Sequence, residues 1–424
     1  MKPQNLKEKI ASGALSVFSH LYPCLEKATD RLISAIDGFS RIYGEERDIS
    51  VFSVPGRSEI CGNHTDHNGG CVIAAAVDRD ILVVAAKRDD ETVSFSSPGY
   101  PEIPIKISDT ENPENFERYT SVSLVAGVVR GFINEGAAVG GFDAFALSDV
   151  PVGSGLSSSA AYEVAVGTVI NHLYCRGEIK NEKVAAIAKY AENVFFGKPS
   201  GLMDQTASAV GGFVYIDLEN PDSPEIEKID ASLSDMGYSL AIINTASSHS
   251  SLNGEYAKIP AEMRSVAKLL GRDTLRGLCE DDIIKNLGNI RRVAGDRAVL
   301  RSLHFLRENE RVKKLRRALK DNDTPAVLSI MRESGKSSFE LLQNLFIPEQ
   351  PTEQPLPLAI AVAEGFRHSG DFAARVHGGG FAGTVQVILN SDDTENFLSY
   401  VNSALGEGSA NIYNVRKEGA IKLF

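Results

Sequence analysis

The stretch Pro151-Val152-Gly153-Ser154-Gly155-Leu156-Ser157-Ser158-Ser159-Ala160-Ala161 constrains this chain more than any other. A proline-entered glycine turn runs into three hydroxyls and then at once into helical spacing at Ala161, Val164, Ala165 and Val169. A helix that opens on bare backbone exposes N–H groups without partners and the positive end of its dipole, and together these make an anion site. The serines add hydroxyls for a phosphate, or for a metal that travels with it. Nucleotide phosphate is the functional reading; a Ser-rich helix cap after a loop is the plain structural one. The stretch has neither the GK[ST] ending of a Walker loop nor a GxGxxG following a strand, so any phosphate cradle here is of another kind.

A chain of 424 residues has room for two or three domains with real cores. Its 43% hydrophobic and 24% charged residues are those of a soluble globular protein, and no apolar run reaches the length of a membrane span. The opening MKPQNLKEKIASGALSVF lacks the apolar core of a secretory signal, so a cytoplasmic location is expected. A net charge of −12 argues against nucleic acid as a partner. Arg311–Lys320 holds six basic residues in ten and reads as a solvated helix face. The five cysteines are scattered without CxxC spacing, which fits reduced thiols and gives no zinc site. The eight histidines form no HExxH or paired-ligand pattern.

Residues 1–47 read as a helical N-terminal extension broken near Pro23. After Asp48 come short β-branched runs, Ile49–Val54, Cys71–Val77, Ile81–Ala86 and Thr92–Phe95, set off by Gly, Asn and Asp turns. Helical periodicity covers 121–133, a strand covers 142–147, and helices follow over 160–174 and 182–196. Pro221–Pro224 reads as a connector, a strand at 239–244 opens a second half, and 261–333 is helix-rich. The four prolines within 347–357 exclude a regular helix there, and a glycine cluster then leads into an alternating strand ending at Leu389. Two α+β domains are expected, 48–220 and 221–424, without internal repeats.

Three further segments carry chemistry. Gly56-Arg57-Ser58-Glu59-Ile60-Cys61-Gly62-Asn63-His64-Thr65-Asp66-His67-Asn68-Gly69-Gly70 packs an arginine, two imidazoles, an aspartate and two amides between apolar strands. Such a density of donors and acceptors suits a polyol such as a sugar, against a polar turn that satisfies its own backbone. In the second, AENVFFGKPSGLMDQ over 191–205, Glu192 and Asp204 offer two carboxylates, one able to hold Mg²⁺ and one able to accept a hydroxyl proton. Asp204 by itself reads equally well as a helix N-cap. The third, HGGGFAG over 377–383, is a tight turn between elements.

Taken in order, the four segments resemble the galactokinase branch of the GHMP small-molecule kinases. The sugar segment resembles GRxNLIGEHTDYNxG, here GRSEICGNHTDHNGG; the serine stretch matches PxGxGLSSSA in full. The other two resemble AExxFxGxxxGIMDQ and RMTGGGFGGC, here AENVFFGKPSGLMDQ and RVHGGGFAGT. The match covers roughly 50–260 and 370–424. It implies the two-domain GHMP fold, an S5-like α/β N-terminal domain and a ferredoxin-like α+β C-terminal domain with the active site in the cleft between them. It also implies a sugar-1-kinase that uses ATP and Mg²⁺. Asp204 would be the base for the C1 hydroxyl, and Arg57 would steady it and the moving charge. Gly153, Ser154, Gly155, Leu156, Ser157, Ser158, Ser159 and Ala160 would surround the phosphates, with Ser158 or Ser159 and Glu192 on Mg²⁺. Asn63, His64, Asp66, Gly201 and Tyr256 would bind the sugar, and Gly378, Gly379 and Gly380 would buttress the phosphate loop.

The pattern breaks at Asn63, where relatives place a glutamate against C6 of galactose, and at His67, His377 and Ala382. The chain has no tryptophan, so the aromatic residues many relatives place near adenine are unmatched. A glutamate at 63 would repel a carboxylate at C6 by roughly 4 kcal/mol at about 4 Å and an effective dielectric near 20. Asparagine removes that repulsion and makes galacturonate an admissible substrate; the DHNGG run and Gln343-Asn344 resemble galacturonate kinases as well. Galactose is favoured because the rest of the sugar loop fits it. A non-turning sugar and ATP sensor is the third alternative, but such sensors lose the Ser-Ala pair that stands here as Ser159-Ala160.

Overall fold

The computed structural model describes residues 1–100, 104–151, 153–198, 200–247 and 253–424; Val152 and Pro199, each inside a motif, lie outside them. The β-branched runs after Asp48 form β1 (Ser50–Cys61), β2 (Cys71–Lys87) and β3 (Thr92–Ser96), followed by β4 (Ile105–Lys106), β5 (Phe142–Ser148), β6 (Phe213–Asp217) and β7 (Glu225–Ile229). β2 organises this sheet. The two expected strands, Cys71–Val77 and Ile81–Ala86, are one run of 17 residues. β1 pairs along one side of it; on the other side β6 takes Cys71–Ala75 and β5 takes Ile81–Lys87.

β2 is apolar on both faces, so both need cover. Val83 and Ala85 join the main core with the helices Ser121–Asn134, Ser158–Tyr174 and Asn181–Tyr190, while Leu82, Val84 and Ala86 face a second core. That second core is filled by residues 1–47. Ala35, Ile36 and Phe39 of the helix Leu25–Tyr43 pack there, and a Cβ on Gly38 would stand 2.3 Å from the Phe145 ring. The segment is thus a layer of the first domain and not an extension from it.

The other strands, β8 (Tyr238–Asn244), β9 (Ala373–His377), β10 (Thr384–Asn390) and β11 (Ala410–Tyr413), make an antiparallel sheet in the order β11-β8-β10-β9. Leu240 and Ile242 face the main core; Ala241 and Ile243 pack with Phe397 and Val401 of the helix Thr394–Leu405. The chain then returns, and β12 (Ile421–Lys422) pairs with β1. The architecture is the expected α+β pair, with a different seam. Pro221–Pro224 turns β6 into β7, which pairs antiparallel with it, so the first sheet runs past residue 220 and takes back the chain's last strand.

Two other expectations change in detail. The basic run closes the 25-residue helix Asp296–Lys320, and it is not merely solvated. Arg316 pairs with Glu225 at 3.1 Å and with Glu227, Lys320 also pairs with Glu227, and Arg311 turns inward to Glu308, so the cations dock the helix on β7 and the interior. The proline-rich segment ends in a helix, Pro355–Gly365, whose first proline sits where a missing N–H costs nothing.

Candidate active site

The serine stretch forms a nest. Gly153 (φ 74°), Gly155 (φ 74°) and Ser157 (φ 52°) alternate through left-handed backbone, turning successive N–H groups to one side. The helix Ser158–Tyr174 begins immediately, and its N-cap residue, Ser157, makes no side-chain cap. The Ser157 hydroxyl instead donates to Oδ2 of Asp204.

Asp204 lies in the first turn of the helix Met203–Val210, whose N-cap residue is Leu202, so the carboxylate is not a cap. Arg57 grips it with a fork: Nε to Oδ1 at 2.6 Å and Nη2 to Oδ2 at 2.7 Å. The third guanidinium nitrogen donates to the Gly155 carbonyl inside the nest. A bulge in β1 between Pro55 and Arg57 aims this side chain. Gly56 permits the approach, since a Cβ there would stand 2.9 Å from the Leu156 carbonyl oxygen. Burial alone would raise the Asp204 pKa, but the Arg57 charge and the bonds from Arg57 and Ser157 outweigh it and hold the carboxyl below its ordinary value. At neutral pH Asp204 is an anion joined by Arg57 and Ser157 to the glycine-serine loop.

The sugar segment and the glycine turn close around this pair. His64, at φ 57°, donates from Nε2 to the Gly379 carbonyl at 2.8 Å, which leaves Nδ1 as an acceptor on a neutral ring. Burial foremost, with the neighbouring His67, pushes the His64 pKa down to about 4. Tyr256 donates to the Gly380 carbonyl at 2.9 Å, and its ring leaves only 2.6 Å for a Cβ on Gly379. Gly201 lies against Asp66, whose Oδ2 is 2.4 Å from where a Cβ would stand. Gly155 in turn abuts His377 and Thr384, at 2.8 and 2.7 Å from its Cβ position. All four motifs therefore meet.

Glu192 stands in a single π-helical segment, Ala191–Phe196, that continues the helix Asn181–Tyr190. It is 3% exposed, and its two oxygens accept from Lys198 Nζ at 2.9 Å and Gln205 Nε2 at 2.7 Å. Among the described residues no group of three His, Cys, Asp or Glu side chains gathers to cage an ion. The donor set nonetheless fits Mg²⁺ on a nucleotide, which takes one or two protein oxygens and completes its shell with phosphate and water. Glu192 already accepts a cation, and the Ser158 and Ser159 hydroxyls stand part-exposed at the start of the helix.

Comparison with known proteins places this geometry. Residues 123–212 match the family model for the GHMP kinase N-terminal domain, and 37–87 match the galactokinase galactose-binding signature. A galactokinase of Streptomyces coelicolor is 32% identical over 83% of this chain and 87% of its own length. The chain belongs to the galactokinase family. A second relative, the galactokinase of Glaesserella parasuis, is 32% identical over 84% of this chain and 89% of its own. Among solved structures, Lactococcus lactis galactokinase complexed with galactose superposes with a TM-score of 0.76 at 22% identity, covering 91% of this chain and 98% of that one. Methanococcus jannaschii mevalonate kinase gives 0.61 at 16% identity, covering 88% and 99%. The fold is therefore the GHMP kinase fold and the chain a phosphate-transferring enzyme.

Within this galactokinase-family site one expectation fails. Asn63 was expected at the C6 end of the sugar; its side chain is instead fully buried and engaged inside the protein. Its Nδ2 donates to Gly378 O at 2.5 Å and to Glu59 Oε1 at 3.1 Å, and its Oδ1 accepts from Asn344 Nδ2 at 2.7 Å. The signature explains why. Its asparagine and glutamate are exchanged here, with Glu59 and Asn63 in their places, so the carboxylate sits four residues earlier, on β1, beneath the loop. There Arg375, 1% exposed, neutralises it at 2.8 Å.

The same buried layer holds residues that no motif announced. On the Asp296–Lys320 helix, His304 donates to the Asn63 carbonyl at 2.9 Å, Glu308 accepts from Gly62 N at 3.1 Å, and Asn309 accepts from Cys71 N at 2.7 Å. Arg276 donates to Gly69 O at 3.1 Å. Both ends of the sugar loop are thus pinned from a region more than 200 residues away in the chain.

His377 accompanies this layer, bonded to Ser58 Oγ at 3.0 Å and Thr384 Oγ1 at 2.9 Å. Burial, then the charges of Arg57 and Arg375, push its pKa from 6.5 to about 3. As pH falls below 6.5 the unfolded chain takes up a proton that the folded chain refuses, so this group's contribution to stability falls with pH. His377→Thr removes that proton. The free energy of urea unfolding lost between pH 7 and pH 5 is expected to shrink by about 2 kcal/mol relative to wild type. An unchanged pH dependence would contradict the assignment.

Proposed function

We propose that this protein transfers the γ-phosphoryl group of ATP to the C1 hydroxyl of galactose, giving α-galactose 1-phosphate and ADP. The reading rests above all on the junction of Asp204, Arg57 and the nest: the carboxylate held in a guanidinium fork, the guanidinium bonded to Gly155 O, and Ser157 of the nest bonded back to the carboxylate. An acceptor for a hydroxyl proton and a cradle for a triphosphate stand on either side of one arginine.

In this mechanism the backbone from Gly153 to Ala160 binds the phosphates through N–H groups and the helix dipole. Glu192 and Ser158 or Ser159 would hold Mg²⁺ together with the phosphates, and the ion would neutralise charge on the transferred group. His64, Asp66, Gly201 and Tyr256 line the sugar side and orient C1. Asp204 accepts the hydrogen bond of the attacking hydroxyl and finally its proton. Its depressed pKa suits a loose phosphoryl transition state, in which positioning counts for more than early deprotonation. Arg57 holds Asp204 in line and meets the charge that migrates toward the leaving oxygen. Gly378, Gly379 and Gly380 close the floor, fixed by Asn63, His64 and Tyr256. The reaction belongs in the cytoplasm, and the partners are small molecules.

The physical argument for a uronate substrate rested on Asn63 facing C6. With that amide bonded to Gly378, Glu59 and Asn344, and with Arg375 committed to Glu59, no cation of this layer is offered to a C6 carboxylate. A coupled ADP-release assay over neutral, amino and uronic hexoses tests the reading. Galactose is expected to exceed galacturonate by more than about a hundredfold in kcat/KM, which corresponds to roughly 3 kcal/mol. Turnover of galacturonate at a comparable rate, or of no hexose at all, would overturn it.

A further inference from the structure

The segment between the two candidate carboxylates contains an ammonium that neither role has used. In the pattern AExxFxGxxxGIMDQ the position of Lys198 is open to any residue, yet here its Nζ lies 2.9 Å from Glu192 Oε1. The two partners differ sharply in setting: the Glu192 side chain is 3% exposed and that of Lys198 is 56% exposed. A flexible four-carbon stem thus carries a charge from solvent onto a carboxylate that is otherwise inside. The backbone joins the same residues, since the N–H groups of Gly197 and Lys198 both donate to Glu192 O, at 3.0 and 3.1 Å. Glu192 Oε2 accepts from Gln205, the residue after Asp204, which ties the pair to the segment that carries the candidate base.

A buried carboxylate is costly without a counter-charge, and an ammonium and a divalent cation cannot both occupy the same lone pairs. We propose that Lys198 competes with the nucleotide-bound divalent cation for Glu192 and so sets the metal concentration at which the nucleotide complex forms. This rests on Glu192 as the metal ligand of the reading above. Once displaced, the ammonium returns to solvent, where its side chain is already half exposed. Lys198 is a positioning residue in this scheme, acting on the metal through Glu192.

The test is a titration of Mn²⁺ into the full-length protein with a non-hydrolysable ATP analogue, following free Mn²⁺ by electron paramagnetic resonance. Lys198→Met is expected to tighten the apparent Mn²⁺ affinity about fivefold, the scale of a part-exposed ion pair. Lys198→Arg keeps the charge and is expected to stay within about twofold of wild type. Glu192→Gln is expected to weaken Mn²⁺ binding at least tenfold, on the order of what losing a charged ligand costs. Unchanged or weaker affinity in Lys198→Met, with Glu192→Gln still defective, would overturn the competition alone. Equal tightening in Lys198→Met and Lys198→Arg would overturn it too, since charge would not be the agent. Wild-type affinity in Glu192→Gln would remove the metal-ligand reading and the competition with it.

Discussion

Asp204→Asn is expected to lower kcat by about 10³-fold while leaving the dissociation constant for galactose within about threefold of wild type. The amide keeps the size of the carboxylate and can still accept one bond from Arg57, so the fork is weakened without being emptied. What it loses is the capacity to accept the hydroxyl proton. The competing reading, a carboxylate that serves only the first turn of the helix Met203–Val210, assigns the charge about 0.3–1 kcal/mol of helix stability and no part in turnover. The structure excludes a side-chain cap, because the N-cap residue is Leu202, and commits both oxygens to Arg57 or Ser157; the two rates separate the remaining readings. Coupled ADP release gives kcat and calorimetric titration gives the affinity. Turnover within tenfold of wild type would displace Asp204 as the base.

The largest effect on stability is expected at Arg375. Its guanidinium is buried, donates to Glu59 Oε1 at 2.8 Å and bonds the Ile60 carbonyl, directly beneath the sugar loop. Arg375→Ala leaves Glu59 in the interior without its cation, a change worth about 3–5 kcal/mol in comparable buried pairs. The loss depends on pH in a definite direction. Burial already raises the Glu59 pKa against the opposing pull of Arg375, and without the arginine the group holds its proton to still higher pH. A carboxyl whose folded pKa is raised is stabilising while protonated and destabilising as pH rises through that pKa. The variant is therefore expected to lose more stability at pH 8 than at pH 5, measured by chemical denaturation at both. An equal loss at the two pH values would mean that cavity formation, and not the stranded carboxylate, sets the cost.

The sequence showed those parts of the site whose chemistry is local. A nest followed by a helix, a carboxylate on a glycine-flanked turn and a polar loop between apolar strands are each written within about fifteen consecutive residues, and each stands where its pattern put it. Contacts between distant segments were not legible. Glu308 and His304 sit on a helix with no motif, and only the folded chain shows that they hold Gly62 and Asn63. Asn63 misleads taken alone, because Glu59 and Asn63 stand exchanged relative to the asparagine and glutamate of the pattern. The fold shows the same division. Strands and helices followed their periodicity, but Cys71–Val77 and Ile81–Ala86 merged because β1 pairs with both stretches, taking up the residues between Ala76 and Asp80 at its bulge between Pro55 and Arg57. Residues 1–47 carry no motif that ties them to the first sheet, yet they cover the second apolar face of β2.

Phosphorus NMR of the products is the most direct test of where the phosphoryl group goes. Wild-type protein with Mg-ATP and galactose is expected to yield ADP and one sugar phosphate, coupled to the anomeric proton as an α-linked 1-phosphate. The Asp204→Asn protein is expected to yield neither at the same concentration and time. A phosphate on C6, or ADP with free inorganic phosphate and unchanged sugar, would show that the carboxylate at 204 does not face the C1 hydroxyl.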